Sequence, residues 1–168
     1  ARQLIALPEG VNDSKQTSKS RRTILKVELE NCCQFGEGWV KPSEIDEWGL
    51  SKSMRVGVKR ALDALQIGDT EEIIIDGNIN YCPVNYVNSE CRIKADVTVP
   101  IVSAASIYAK VVRDRYMEEL GSGFKAYGFE EHVGYGTKKH IEALRVYGLT
   151  DFHRKSYKPI KRLLNAAD

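Results

Sequence analysis

The sequence has little with which to enter or cross a membrane. No apolar run approaches the roughly 20 residues that span a bilayer. No basic-then-apolar stretch opens the chain, so there is no secretion signal to read. A strong charge of one sign is also missing: the formal net charge over 168 residues is +2. The whole molecule is therefore no general binder of polyanions, and a nucleic-acid partner must be held by a local basic surface. Cysteine is sparse and badly spaced for metal. Of the four, Cys32 and Cys33 are adjacent rather than in a CxxC pair, and Cys82 and Cys91 stand alone. That spacing argues against zinc and for reduced, partly buried thiols in a cytosolic protein. No pair among His132, His140 and His153 has the spacing of a zinc-binding helix, so all three read as surface or structural. Internal repeats, low-complexity stretches and an interdomain linker are absent as well.

What is present is ordinary globular composition, 42% apolar and 29% charged, in a length that suits one domain over residues 1–168. "RQLIAL" reads as a short strand, and "PEGVNDSK" has loop chemistry. A helix is expected from about Ser18 to Glu30, with Ile24, Val27 and Leu25 on its buried side. "CQFGEGWV" is a plausible strand. The longest helical pattern starts at Pro42 or Ser43, with Ile45, Leu50, Met54, Val58, Leu62 and Leu65 at helical spacing, and ends at Gly68-Asp69. The isoleucine run in "EEIIIDG" suits a strand covered on both faces. "CRIKAD" is read as a further short strand, and Pro100 as the start of a helix running to about Leu120. The glycine-rich block beyond it is expected to be loop. "TKKHIEALRVYG" reads as a helix capped by Thr137 and stopped by Gly148, and "KPIKRLL" as a terminal helix. Strands alternating with helices predict an α/β fold with one central sheet.

Several positions have the chemistry of a site. Asp76 closes a buried strand, where α/β sheets commonly place ligands, although Asp76-Gly77 also has the composition of a plain turn. Asp96 is expected at the end of the second short strand, before a helix start, or as a plain loop or helix-flanking acid. Two carboxylates on neighbouring strand ends could share a divalent cation, since hard ions such as Mg²⁺ take oxygen ligands. Asn12, Ser14 and Lys15 in "NDSK" offer donors for a phosphate, or simply form a turn. Tyr135 lies between Gly134 and Gly136, where a flat partner can approach and stack, or where a turn tyrosine can pack on the sheet. Lys110, Arg113, Arg115, Lys138, Lys139, Arg154, Lys155 and Lys158 make the second half locally basic, as a nucleic-acid track or a solvated face.

In order along the chain, "NDSK" at 12–15, "EID" at 44–46, "DG" at 76–77, "KAD" at 94–96, "SAASIYAKVVRD" at 103–114, "GYGTKKH" at 134–140 and "HRKSY" at 153–157 resemble ribonuclease HII, the type 2 ribonuclease H family. The resemblance covers nearly the whole chain, and its most specific part is the "SAASI" run. It implies a ribonuclease H-like α/β fold with a central mixed sheet flanked by helices. It implies an endonuclease that hydrolyses the RNA strand of RNA–DNA hybrids and cuts 5′ to ribonucleotides embedded in duplex DNA. The cofactor implied is Mg²⁺ or Mn²⁺, held by four acids for two-metal catalysis. Asp76 matches the third family acid and Asp96 the fourth, as catalytic and metal-binding residues. Tyr135 matches the tyrosine that recognises the ribose–deoxyribose junction, and Lys15 a position near the scissile strand. The implied partners are hybrid or ribonucleotide-containing duplexes and no membrane; the implied setting is cytoplasmic, with the intact protein a monomer.

The sequence departs from the family pattern at its start. The "DEAGRG"-type motif that carries the first two acids does not occur in it, and "KAD" replaces the more usual bacterial "KGD". The chain is accordingly expected to be a family member lacking its N-terminal segment and first strand, with impaired activity. Two other readings stand beside this one: a non-catalytic nucleic-acid-binding remnant, and a metal-dependent phosphoryl-transfer enzyme of the same fold with another substrate.

Overall fold

The structure is a computed structural model that describes residues 1–11 and 17–165. The chain divides into two compact units, one of residues 1–39 and 54–111, the other of residues 40–53 and 112–168.

In the first unit, strand β1 (Arg2–Gln3) pairs antiparallel with β2 (Cys33–Gln34), which directly follows helix α1 (Lys19–Cys32). Ser18 starts α1 by accepting the Arg21 N–H on its hydroxyl, which satisfies one of the donors a helix start leaves open. The buried face of α1 is Leu25, Leu29 and Cys32, while Ile24 and Val27 are exposed. The expected face is thus wrong for two of its three residues. Apolar side chains lie on both sides of this helix, and the winning stripe is the one that meets helix α4 (Pro100–Gly123). Leu25, Leu29, Cys32 and Cys33 form one core with Val11, Ala104 and Ile107.

A second core of this unit joins Leu62, Ile73, Cys82 and Tyr86. It holds strand β3 (Ile73–Asp76), which pairs in parallel with β4 (Ser89–Arg92). Of the three isoleucines only Ile73 is fully buried. The sheet is therefore small: among the described residues it consists of one antiparallel and one parallel pair rather than a single continuous sheet. Gly36 and Gly38 bring the segment after β2 against helix α2 (Pro42–Leu65). A Cβ on Gly38 would sit 1.8 Å from the Gly57 carbonyl oxygen, and one on Gly36 would sit 2.1 Å from that of Ala61. Helix α2 itself is broken at Gly49, whose φ of 75° no helix accommodates. The uninterrupted helical period expected there is lost at the break; Leu50 and Met54 are exposed, and α2 ends at Leu65 rather than at Gly68.

The second unit is built on Tyr127, Phe129, Ala143, Leu144 and Ile160, with Met117, Leu120 and Phe124 from or just after α4 packed against them. The glycine-rich block expected to be loop contains a 3-10 turn (Lys125–Tyr127) and a short helix α5 (Phe129–His132). Helix α6 (Lys138–Tyr147) starts and stops where its composition says. Thr137 accepts the His140 N–H on its side chain, and Gly148 closes the helix at φ 77°. Helix α7 is Lys158–Asn165. Among the described residues no helix is long and apolar enough to cross a membrane.

Candidate active site

Asp76 is the last residue of β3, opposite Arg92 in the parallel register, and its side chain is exposed. The strand ends there because Gly77 takes φ 123°, a conformation that side chains rarely adopt, while its N–H still donates to the Arg92 carbonyl at 3.0 Å.

Asp96 is not at the end of a strand, as expected. Strand β4 stops at Arg92, Lys94 turns the chain through the left-handed region at φ 58°, and Asp96 lies in the first turn of a four-residue helix, α3 (Ala95–Thr98). That helix packs on β3, so both acids ride on contiguous elements. Asp96 is buried, at 6% exposure, and Ala95 beside it is fully buried. The turn is fixed from below: the Ser103 hydroxyl donates to the Asp96 carbonyl at 2.6 Å, and Ser103, Ala104 and Ile107 are all at 0% exposure. The specific "SAASI" run is thus the surface on which the acid's helix is seated. Its small residues let the α4 backbone come close.

In the second unit, Tyr135 is 60% exposed, and the Arg113 guanidinium lies 5.5 Å from its ring centroid. A core tyrosine is excluded by that exposure. Gly134 has φ 81°, a conformation that side chains rarely adopt, and a Cβ there would press on the Met117 methyl at 3.1 Å. Asp114 is buried and lies 3.7 Å from Arg113.

Asp46, from the "EID" stretch, has a role the sequence did not suggest. Its two carboxylate oxygens accept the N–H groups of Lys155 and Ser156, each at 2.8 Å. Burial pushes its carboxyl upward, but the bonds from Ser156 and Lys155 outweigh that and hold it below the ordinary value of 3.8. The pairing fixes "EID" to "HRKSY" across about 110 residues of sequence, which accounts for two quoted stretches without chemistry.

The three histidines are buried, at 5–6% exposure, not on the surface. Their rings gather around Phe129; His132 stacks on His140 at 4.4 Å between centroids. The signal for this was in the quoted stretches, since "GYGTKKH" contains His140 and "HRKSY" contains His153. Their meeting depends on tertiary packing, not on spacing. All four cysteines are thiols, three of them buried, and burial together with a hydrogen bond to Cys32 pushes the Cys33 thiol up to about 12. Asn12, Ser14 and Lys15 lie outside the described residues. Among the described residues no three of His, Cys, Asp and Glu form a group able to hold a metal.

Two-stranded pairs with long helices, one acid at the end of the parallel pair and a second on the short helix packed against it, are the features to compare with solved structures. Ribonuclease H2 from Pyrococcus horikoshii OT3 superposes with a TM-score of 0.70 at 25% identity, over 94% of this chain and 81% of that one. Ribonuclease HII from Archaeoglobus fulgidus, solved in complex with PCNA, gives 0.68 at 25% identity over 92% and 80%. A ribonuclease HIII solved with Mn²⁺ shares the fold at a TM-score of 0.66 and 19% identity. The fold class is therefore ribonuclease H-like. Within it the chain belongs to the ribonuclease HII family, whose model matches residues 2–160. Ribonuclease HII of Vibrio vulnificus strain YJ016 is 40% identical over 157 residues, 93% of this chain and 74% of that protein. The enzyme of Shewanella piezotolerans is 41% identical over 156 residues. The protein is an endonuclease of the ribonuclease H type, a hydrolase.

Proposed function

We propose that the protein acts on RNA–DNA hybrids and on duplex DNA containing single ribonucleotides, cutting 5′ to the ribonucleotide to leave a 5′-phosphate and a 3′-hydroxyl. The observation that carries this reading is the placing of Asp76 at the end of β3 and of Asp96 on the helix packed against that strand. Carboxylate oxygens suit Mg²⁺ or Mn²⁺, and such ions need few ligands from protein. Asp76 and Asp96 would hold the ion. When bound, it supplies an activated water and neutralises charge at the leaving 3′-oxygen.

The chain's own residues do the rest. Asp96 sits on a helix turn held by Ser103, so its backbone does not have to be ordered when a substrate arrives. Tyr135 presents an exposed ring to a sugar or base at the ribose–deoxyribose junction. Lys15, Asn12 and Ser14 are the expected contacts to the scissile strand. Two carboxylates are half of the family's four, so this 168-residue chain is expected to bind such duplexes and to turn over slowly. The cytoplasm is the proposed setting, and a monomer the proposed state.

The test uses a duplex with one ribonucleotide and an all-DNA duplex of the same sequence, with Mg²⁺ or Mn²⁺. Selective binding of the first, and metal-dependent cleavage that Asp76→Asn and Asp96→Asn each lower at least about tenfold, are expected, since each removes a charge from the cation's ligands. Selective binding with no cleavage at any metal concentration would favour the non-catalytic reading. Cleavage untouched by both substitutions would refute the site.

A further inference from the structure

The buried histidines form a hydrogen-bonded chain whose direction can be read from its ends. At one end the Thr150 N–H donates to His153 Nδ1 at 3.0 Å, and a backbone N–H cannot accept; the Thr150 hydroxyl, at 2.9 Å, can donate to the same nitrogen, and the Thr150 carbonyl is farther away at 3.4 Å. His153 Nδ1 therefore carries no proton, and in the neutral ring its proton is on Nε2. At the other end His140 Nδ1 lies 3.0 Å from the Tyr135 carbonyl, which can only accept. His140 therefore carries its proton on Nδ1 and leaves Nε2 as an acceptor. The two Nε2 atoms are 3.1 Å apart, and these assignments make that contact one donor facing one acceptor. The order is Thr150 N–H to His153 to His140 to the Tyr135 carbonyl.

The third histidine closes on the same loop. His132 Nε2 lies 2.7 Å from the Tyr127 carbonyl, so it is the donor there, and Nδ1 accepts the Gly134 N–H at 3.2 Å. The Tyr135 N–H in turn donates to the His132 carbonyl at 2.8 Å. The Gly134 N–H and both backbone groups of Tyr135 are thus committed to His132 and His140, with Thr137 N–H adding a second donor to the Tyr135 carbonyl.

We propose that His140 and His153 are positioning residues: a relay of fixed tautomers that holds the loop of Tyr135 in the conformation used against a ribonucleotide junction. This rests on the reading of Tyr135 given above. The relay touches no substrate and acts only through the loop.

The relay works only while both rings are neutral. A second proton on His140 would put two Nε2–H groups face to face across 3.1 Å, and one on His153 would set Nδ1–H against the Thr150 N–H at 3.0 Å. Burial above all, and the neighbouring imidazoles with it, lower both groups from the ordinary value of 6.5, against the upward pull of one backbone hydrogen bond at each, with Tyr135 for His140 and with Thr150 for His153. Among the described residues of this unit the buried carboxylate is Asp114 on α4, 3.7 Å from Arg113; the acids on the elements that carry the rings are exposed. Glu130 and Glu131 on α5, Lys138 and Lys139 on α6, and Asp151 in the loop before His153 are all exposed, and Lys139 is paired with Glu131 at 2.5 Å. Arg154 is half-buried over the Tyr157 ring.

Two measurements on the full chain test the proposal. The first is a long-range ¹H–¹⁵N correlation of the imidazoles at pH 7.5, which reads tautomers without any nucleic acid. One neutral form each is expected: Nδ1–H for His140, Nε2–H for His153 and His132. Mixed tautomers, or Nε2–H on His140, would overturn the relay. The second is fluorescence polarisation with a labelled duplex carrying one ribonucleotide and its all-DNA counterpart, in Ca²⁺. His140→Gln places its amide near Nε2 and loses the donor to Tyr135, so preference for the ribonucleotide duplex should fall about tenfold, the worth of one hydrogen bond. His140→Asn places its amide nitrogen near Nδ1 and should keep most of the preference, and affinity for the all-DNA duplex should be the same in both. Equal losses in the two variants would mean that His140 only fills space, and no loss in either would overturn the relay. Tyr135→Ala distinguishes the two levels: if it leaves the preference intact, the junction reading itself fails, and the relay has nothing to position.

Discussion

Replacing Tyr135 with alanine separates recognition from stability unusually well, because the ring is 60% exposed. Little apolar area leaves a buried state when it is removed. The Arg113 guanidinium lies 5.5 Å from the ring centroid. An exposed cation–π pair is worth about 0.5–1 kcal/mol. The folding midpoint should then fall by no more than about 2–4 °C, the shift that 1 kcal/mol gives in a chain of this size. Recognition should suffer far more. One base–aromatic stack is worth roughly 1–3 kcal/mol, which is about 5- to 150-fold in affinity or, where the contact persists in the transition state, in rate. Tyr135→Phe keeps the ring and should lose less, the difference being whatever the hydroxyl bonds. The assay pairs a thermal melt with binding and cleavage of two substrates, a continuous RNA–DNA hybrid and a duplex with one ribonucleotide. The loss should be larger on the second, where a single junction must be found. Equal losses on both substrates, in proportion to a lowered melting temperature, would refute the argument and make Tyr135 scaffold.

Other parts of the structure make separate commitments. Asp46→Ala removes two charge-assisted bonds at 2.8 Å and should cost about 1.5–3 kcal/mol; a change below about 0.5 kcal/mol by urea titration, the range of an ordinary surface substitution, would show that the pairing is incidental. Because the Asp46 carboxyl is held below 3.8, its contribution is fully present above that pH and is lost as pH falls through the lower, folded value; acid titration of Asp46→Asn should lack this step. His140 and His153 act in a higher window: both are lowered from 6.5, the unfolded chain takes up their protons first, and stability should therefore decline as pH drops below about 6.5. A melting temperature that is flat between pH 7.5 and 5 would contradict this. Gly38→Ala drives a methyl to within 1.8 Å of the Gly57 backbone oxygen and should cost about 1–3 kcal/mol by forcing a backbone shift, measured by denaturant unfolding against Gly68→Ala, where nothing lies within 4 Å.

How much of this was legible in the sequence depends on whether the signal was local. Helix α6 could be bounded at both ends because Thr137 and Gly148 do their work within one turn of where they stand. The face of α1 could not, since Ile24 and Val27 satisfy helical spacing as well as Leu25 and Leu29 do, and only the presence of Ala104 and Ile107 decides. Gly49 sat inside an apolar pattern that looked continuous, and its positive φ comes from the chain path, not from its neighbours. Asp76 was placed correctly at a strand end by the isoleucine run before it. Asp96 was expected at the end of a strand and lies on a helical turn, because Lys94 adopts a left-handed conformation for which no glycine gave warning. The histidine cluster and the Asp46 pairing are long-range, and no spacing rule reaches them.

The specific stretch of the sequence and the acid proposed as a metal ligand are different residues, and the packing between them gives the reason. "SAASI" contains no acid, base or nucleophile suited to phosphodiester hydrolysis, yet Ser103, Ala104 and Ile107 are its fully buried face. Ser103 must be small to pass under α3 and must carry a hydroxyl to reach the Asp96 carbonyl. Ala104 must be small where α4 joins the core of α1. Each requirement narrows the choice to one or two residue types, so the packing seat is more constrained along its length than the single carboxylate it supports. An aspartate alone is a common residue with many structural uses. A seat shaped to hold one helical turn against the end of a parallel strand has few, and it is this constraint that makes Asp96 stand out from the other acids of the chain.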